Sequence, residues 1–227
     1  MAERRVLLIT GAGSGIGAAT ARQAVAAGLR VVLAGRTLEP LAALAAELGG
    51  DEHAREVVAD VREWDGNVAA VAAAVDGFGR LDVAFANAGI HGEPGWLADT
   101  PEHWRDMVLT NVLGPALTIR AALPALTAAR GHAVVMSSAA GRRVLPSLYS
   151  VTRCATAAMG EAVRQDVGGT GVRVTVIEPG GVNTPLWDAA NPGRLEADDV
   201  ARAVLYAIMQ PPHVDVNEVL IRPAGAP

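Results

Sequence analysis

The sequence predicts a single α/β domain built on a doubly wound sheet of seven parallel strands flanked by helices, and three features of the chain point to it. Seven short, apolar, β-rich runs recur along the 227 residues. Ala-rich stretches long enough for crossover helices lie between them. The central runs are apolar throughout instead of alternating, as strands covered on both faces must be. Strand and helix in alternation favour a parallel sheet wound both ways from its middle. Pattern alone also admits a mixed α/β fold with an antiparallel edge.

The strand runs are residues 5–10, 29–35, 54–60, 81–86, 132–137, 172–178 and 218–221. Gly28 closes the first helical stretch, Pro40 sits in the first turn of the second, and Gly49-Gly50 ends it. Residues 100–130 read as one long helix whose Pro115 and Pro124 should kink or divide it. No linker or internal repeat is apparent, so residues 1–227 are expected to form one domain, with a short loop near 185–195.

Composition narrows the class. Apolar residues make up 51% and charged residues 19%, enough to bury a full core. The net charge of −5 argues against a surface that attracts nucleic acid or anionic lipid as a whole. Any phosphate binding must therefore be local. Cys154 is the single cysteine and cannot form an internal disulfide, and no cluster has the spacing of a metal site, so a reducing compartment and no metal are expected. The start is basic, but the apolar run at 6–9 is too short for a signal peptide and enters a Gly-rich turn. No apolar run is expected to approach a membrane span, because Gly, Pro or charged residues interrupt each candidate. A cytoplasmic location follows as the expectation.

The first strand runs into Thr10-Gly11-Ala12-Gly13-Ser14-Gly15-Ile16-Gly17 and then an Ala-rich helix. Glycines let the backbone turn sharply and approach an anion, while free N–H groups and the helix dipole favour a pyrophosphate. Ser14 can add a hydroxyl donor. A Gly-rich turn between strand and helix is also often no more than a tight connection. The second strand ends at Gly35-Arg36. An acid here would hold the ribose hydroxyls of NAD, whereas a basic residue would pair with the 2′-phosphate of NADP. Arg36 has a planar fork suited to that phosphate, and its other reading is a solvated surface charge.

The spacing Thr-Gly-x-x-x-Gly-Ile-Gly resembles the short-chain dehydrogenase/reductase family, and further matches follow in order. They are Asp60-Val61, Asn87-Ala88-Gly89, Asn111, Ser137-Ser138, Tyr149, Pro179-Gly180 and Thr184, so the resemblance spans nearly the whole chain. It implies a Rossmann fold and an NADP(H)-dependent oxidoreductase, a carbonyl reductase or alcohol dehydrogenase, with NAD(H) the less favoured cofactor. Cofactor contacts are implied for Gly11, Gly13, Ser14, Gly15, Ile16, Gly17, Arg36, Asp60, Val61, Asn87, Ala88, Gly89, Tyr149, Arg153, Pro179, Gly180, Val182 and Thr184. The tail from Val214 to Pro223 resembles that of bacterial NADP-dependent relatives acting on 3-hydroxy acids and short-chain alcohols.

By the same resemblance, Tyr149 exchanges a proton with the substrate oxygen, Ser138 holds that oxygen, and Asn111 supports a water-linked proton path. The fourth position departs from the family. Arg153 stands four residues after the tyrosine, where the family has lysine. The spacing keeps both side chains on one helix face, and either cation favours a phenolate. Arginine is bulkier, presents its donors in a fixed plane and does not release its proton. Activity that is reduced, specialised or absent is the range of outcomes, the last giving a cofactor-binding sensor or an impaired partner subunit. Tyr149 also follows Ser138 by eleven positions, one or two fewer than the family usually has, with Ser137 as a fallback anchor.

On the substrate side, His91, Trp96, Arg142, Arg143 and Trp187 lie on loops at the carboxyl ends of the strands. His91 and Trp187 are the chosen candidates, beside Ser138, for contact with a small carbonyl or alcohol substrate. Each is also explicable as a packing or rim residue. The family commonly pairs through the two long helices at 100–130 and 147–168. The small residues Cys154, Ala155, Ala157 and Ala158 suit a homodimer or homotetramer, and equally an ordinary core stripe.

Overall fold

The computed structural model describes residues 4–185 and 191–225. All seven strands form, as β1 (Val6–Thr10), β2 (Arg30–Gly35), β3 (Ala54–Val58), β4 (Val83–Ala86), β5 (His132–Met136), β6 (Arg173–Pro179) and, near the carboxyl end, β9 (Glu218–Ile221). They make one sheet in the order β3-β2-β1-β4-β5-β6-β9. Every pairing is parallel, including the last, so the antiparallel edge is absent.

The helices are α1 (Gly15–Ala26), α2 (Leu38–Glu47), α3 (Trp64–Phe78), α4 (Pro101–Val108), α5 (Gly114–Ala129), α6 (Leu148–Asp166) and α7 (Ala197–Ile208). Alternate strand residues enter two cores. Leu7, Ile9, Val31, Leu33 and Phe85 pack with Leu41 and Leu44 of α2 and with Val200, Val204 and Ile208 of α7. Val6, Leu8, Val32, Ala84 and Val135 pack with Ala70, Ala74 and Phe78 of α3 and with Ile119, Ala122 and Leu126 of α5. This two-faced burial explains the unbroken apolar runs that distinguish the inner strands. Neighbouring strands β1 and β4 lead off in opposite directions around the sheet, and a crevice opens beyond their carboxyl ends.

Two details were not legible in the pattern. A parallel pair of two-residue strands, β7 (Val182–Asn183) and β8 (Leu195–Glu196), brackets the loop predicted near 185–195; strands this short leave no periodicity to detect. The predicted long helix is α4 and α5 joined by a π-helical turn at Leu109–Leu113. Pro115 has no N–H for the Asn111 carbonyl four residues back, which accounts for a wider turn at that point. Taken together, Pro101–Ala129 is long and apolar enough by length and composition to cross a membrane, contrary to expectation. The interrupting prolines did not stop the helix, and its Ile119, Ala122 and Leu126 are buried against the sheet.

Candidate active site

The Gly-rich turn and the Asn-Ala-Gly element hold each other in place. The Thr10 hydroxyl accepts from the backbone N–H groups of Asn87 and Ala88 at 3.0 and 3.1 Å, and Asn87 Nδ2 donates to the Thr10 carbonyl at 2.9 Å. Gly11 has φ +65°, and a Cβ there would stand 2.9 Å from Ala88 Cα. A Cβ on Gly17 would meet the Gly11 carbonyl at 2.3 Å, so only glycine lets α1 start this close to the turn. Gly11, Ser14, Gly15 and Ile16 line a cleft of about 720 Å³, the size of a small-molecule site. Gly13 faces Pro40 and Gly17 is packed inside the turn; neither lines the cleft, and both shape the backbone that does. Ser14 is the N-cap of α1 but makes no side-chain cap, which leaves its hydroxyl exposed beside the turn.

At one end the cleft is lined by Gly35, Arg36, Asp60 and Val61. Asp60 is already paired with Arg62 at 2.6 Å, and Arg62 reaches on to Asp106 at 3.1 Å. The hydrogen bonds from Arg62 hold the Asp60 carboxyl below its ordinary pKa, with Arg36 adding a smaller electrostatic push. Arg62 was missed in the sequence, although its place two residues after Asp60 is the signal that could have found it. No acid stands at the end of β2 to oppose Arg36.

At the other end the cleft meets Asn87, Ala88, Gly89, His91, Ser138, Tyr149, Arg153, Pro179, Gly180, Val182 and Thr184. The Ser147 hydroxyl caps α6 by accepting from Ser150 N, and this sets Tyr149 in the first turn and Arg153 one turn on. The Arg153 guanidinium lies over the Tyr149 ring, 4.9 Å from its centroid. It is 4% exposed, donates from Nη1 to the Met136 carbonyl at 3.2 Å, and leaves Nε without a partner. A Cβ on Gly89 would stand 2.6 Å from Nη2, so the missing side chain makes room for the larger cation. His91 meets the Tyr149 ring edge-on at 4.8 Å. Burial holds its pKa below the ordinary value; Glu93 opposes this, and the charges of Arg153 and Arg194 add to it.

Asn111 does not line the cleft. It is fully buried, accepts from Ile90 N at 2.8 Å and donates to the Ile90 carbonyl and Thr152 Oγ1, which makes it a brace for the loop carrying His91. Ser138 lines the cleft and its hydroxyl donates to the Pro179 carbonyl at 3.3 Å. The fallback, Ser137, also lines the cleft, but its hydroxyl is engaged, donating to the Arg153 carbonyl at 2.8 Å. Arg142 turns away to Glu178, 2.8 Å, and Glu218, whereas Arg143 lines the cleft. Burial raises the Glu178 pKa against the pull of Arg142. Trp96 packs on Trp104 outside the cleft. Trp187 lies outside the described residues. Arg222, just past β9, also lines the cleft and was missed; its signal was only its place at the carboxyl end of the last strand.

Fold and cleft together define a dinucleotide-binding α/β oxidoreductase, with a bare-backbone turn at the switch point and a tyrosine, a serine and a cation at one end. The sequence pattern of the short chain dehydrogenases matches residues 5–195, and the chain belongs to that family, whose members bind a nicotinamide cofactor. It is 37% identical over 225 residues to an uncharacterised oxidoreductase of Staphylococcus haemolyticus, covering 96% of this chain and 97% of the relative. A Staphylococcus aureus counterpart is 36% identical over the same shares. Among solved structures it is similar to an alcohol dehydrogenase from the archaeon Thermococcus sibiricus complexed with 5-hydroxy-NADP, at TM-score 0.92, 28% identity and 99% of each chain. It is similar also to a 3-ketoacyl-(acyl-carrier-protein) reductase from Brucella melitensis complexed with NADH, at TM-score 0.89, 28% identity and 98% of each chain.

Proposed function

We propose that the chain is an NADP(H)-dependent carbonyl reductase or alcohol dehydrogenase in which Tyr149 is the proton donor and acceptor. The observation that carries this is that Tyr149, Ser138 and Arg153 line the same cleft as the Gly-rich turn. The glycines at 11 and 15 leave the backbone bare where a pyrophosphate would rest, and Thr184 and Ser14 bring hydroxyls beside it. Arg36, with no acid at the end of β2 and with the nearby Asp60 already held by Arg62, suits a 2′-phosphate, and Val61 offers an apolar wall to an adenine. When bound, the nicotinamide supplies a hydride to the carbonyl carbon or accepts one in the reverse reaction. Ser138 orients the carbonyl oxygen, and Tyr149 gives that oxygen its phenolic proton. Arg153 sets a fixed positive charge against the phenol ring and keeps donors for ribose hydroxyls.

Titration of the native chain with NADPH and NADH, followed by a panel of aldehydes and ketones, tests this reading. NADPH is expected to bind at least tenfold more tightly, with substrate-dependent loss of its absorbance. In Gly35→Asp combined with Arg36→Ala, the preference moves toward NADH through repulsion and loss of the phosphate fork. Equal native affinities would remove the NADP assignment. The second reading, a cofactor-binding sensor or impaired partner subunit, draws on Arg153 standing where the family has lysine; it requires dinucleotide binding without turnover on any carbonyl. A cytoplasmic homodimer or homotetramer completes the proposal, supported by the exposed Val108, Leu113 and Val151 on the helices that pair in the family.

A further inference from the structure

The charged residues around the cleft are unevenly distributed. Asp60 is the one acid among the described lining residues; it sits at the Arg36 end and is already held by Arg62. The Tyr149 end is lined by Arg143, Arg153 and Arg222 with no carboxylate among them, in a chain whose net charge is −5. Consecutive arginines also meet different fates. Arg142 is neutralised by Glu178 and Glu218, and its Nε, shared between both carboxylate oxygens of the buried Glu178, anchors the turn after Ser138. Arg143, one residue on, is exposed and lines the cleft, and among the described residues no acid pairs with its guanidinium. Arg153 is 4% exposed, has no acid partner among the described residues and keeps an unpartnered Nε. A buried cation without a counter-charge is costly, and its field favours an anion in the space it faces.

We propose that the substrate carries a carboxylate close to its reacting carbonyl, and that Arg143 receives this carboxylate while the carbonyl rests between Ser138 and Tyr149. This rests on the reductase reading above and names the substrate class it leaves open. Arg36 stands at the opposite end of the cleft and serves the cofactor there, so Arg143 is left over for the substrate. A planar guanidinium grips a carboxylate through two parallel hydrogen bonds and fixes its orientation as well as its position. The apolar Leu145 and Pro94 line the same region and suit a short carbon chain between the two polar ends.

The test compares 2-oxo, 3-oxo and 4-oxo acids with their methyl esters, using NADPH, in the native chain, Arg143→Ala and Arg143→Lys. The native chain is expected to favour at least one acid over its ester by about tenfold or more in kcat/KM. That ratio should fall by about tenfold in Arg143→Ala and return in part in Arg143→Lys. Esters turned over as well as acids by the native chain would overturn the carboxylate proposal while leaving the reductase reading standing. A ratio unchanged in Arg143→Ala would overturn the role of Arg143. If no carbonyl is turned over, malonate binding to the NADPH-bound chain, measured by calorimetry, decides separately. Binding lost in Arg143→Ala supports the anion site, and no binding to the native chain overturns it.

Discussion

The two ends of the cleft are built on different principles. Around the Gly-rich turn the protein satisfies itself: Thr10 ties down Asn87 and Ala88, and Asp60 is closed off by Arg62. What remains for a ligand is mostly backbone, with the Ser14 hydroxyl and the Arg36 guanidinium beside it. Around Tyr149 the cations Arg143 and Arg153 lack acid partners among the described residues and Arg153 keeps an idle donor, so side chains wait for something to complete them. The first end depends on the absence of Cβ atoms, and the second on the chemistry of a few side-chain termini. Changes at the first end should therefore act through shape and at the second through charge and donor geometry.

The largest effect on cofactor binding is expected at the first end. Gly17→Val would force the turn open, since even the Cβ would stand 2.3 Å from the Gly11 carbonyl. NADPH affinity should fall by about a hundredfold or more, about 2.7 kcal/mol, with a lowered Tm. Fluorescence titration and thermal melting would check both, and a variant that binds normally would mean that the turn does not form the cofactor site.

At the second end, Arg153→Lys exchanges a fork held on the Met136 carbonyl for an ammonium with freely rotating donors. Turnover is expected to rise about tenfold, equivalent to about 1.4 kcal/mol of barrier. A fall in kcat would identify arginine as the adapted residue at this position, its fork matched to an anionic substrate.

A separate effect, on stability alone, belongs to the sheet that carries both ends. His132 in β5 is fully buried against Thr175, and burial, with the charges of Arg173 and Arg5, depresses its pKa from 6.5 to about 3. The unfolded chain takes up this proton first. The neutral histidine's contribution is thus intact above about pH 6.5 and is lost progressively as pH falls toward 3. At about 1.4 kcal/mol per pH unit, about 2 kcal/mol is lost by pH 5. Urea unfolding at pH 7 and pH 5 should show a steeper loss in the native chain than in His132→Gln, and equal losses would contradict the assignment.

The contrast between the two ends also explains what the sequence disclosed. Runs such as 5–10 and 132–137 are apolar because both sheet faces are covered, so the strands could be read directly. The Gly-rich turn was legible for a related reason: a backbone constraint excludes all other residues locally. Arg142 and Arg143 are adjacent and identical in type, and nothing local distinguishes the one that meets Glu178, thirty-six residues away, from the one that lines the cleft. The resemblance gives Asn111 a part in a water-linked proton path, while the pairing of its side chain with Ile90, twenty-one residues away, has no local signal in the sequence. The apolar length of the helix at 101–129 was hidden because prolines in the sequence were counted as breaks.

The central claim is that the Tyr149 end is a working proton-transfer site in spite of Arg153. NADPH consumption over a broad carbonyl panel, measured for the native chain and Tyr149→Phe alongside NADPH affinity, tests it most directly. The account predicts measurable native turnover that falls by about 10²- to 10⁴-fold in Tyr149→Phe, with NADPH affinity kept within a few-fold. NADPH binding with no native turnover on any carbonyl, or turnover that survives in Tyr149→Phe, would contradict it.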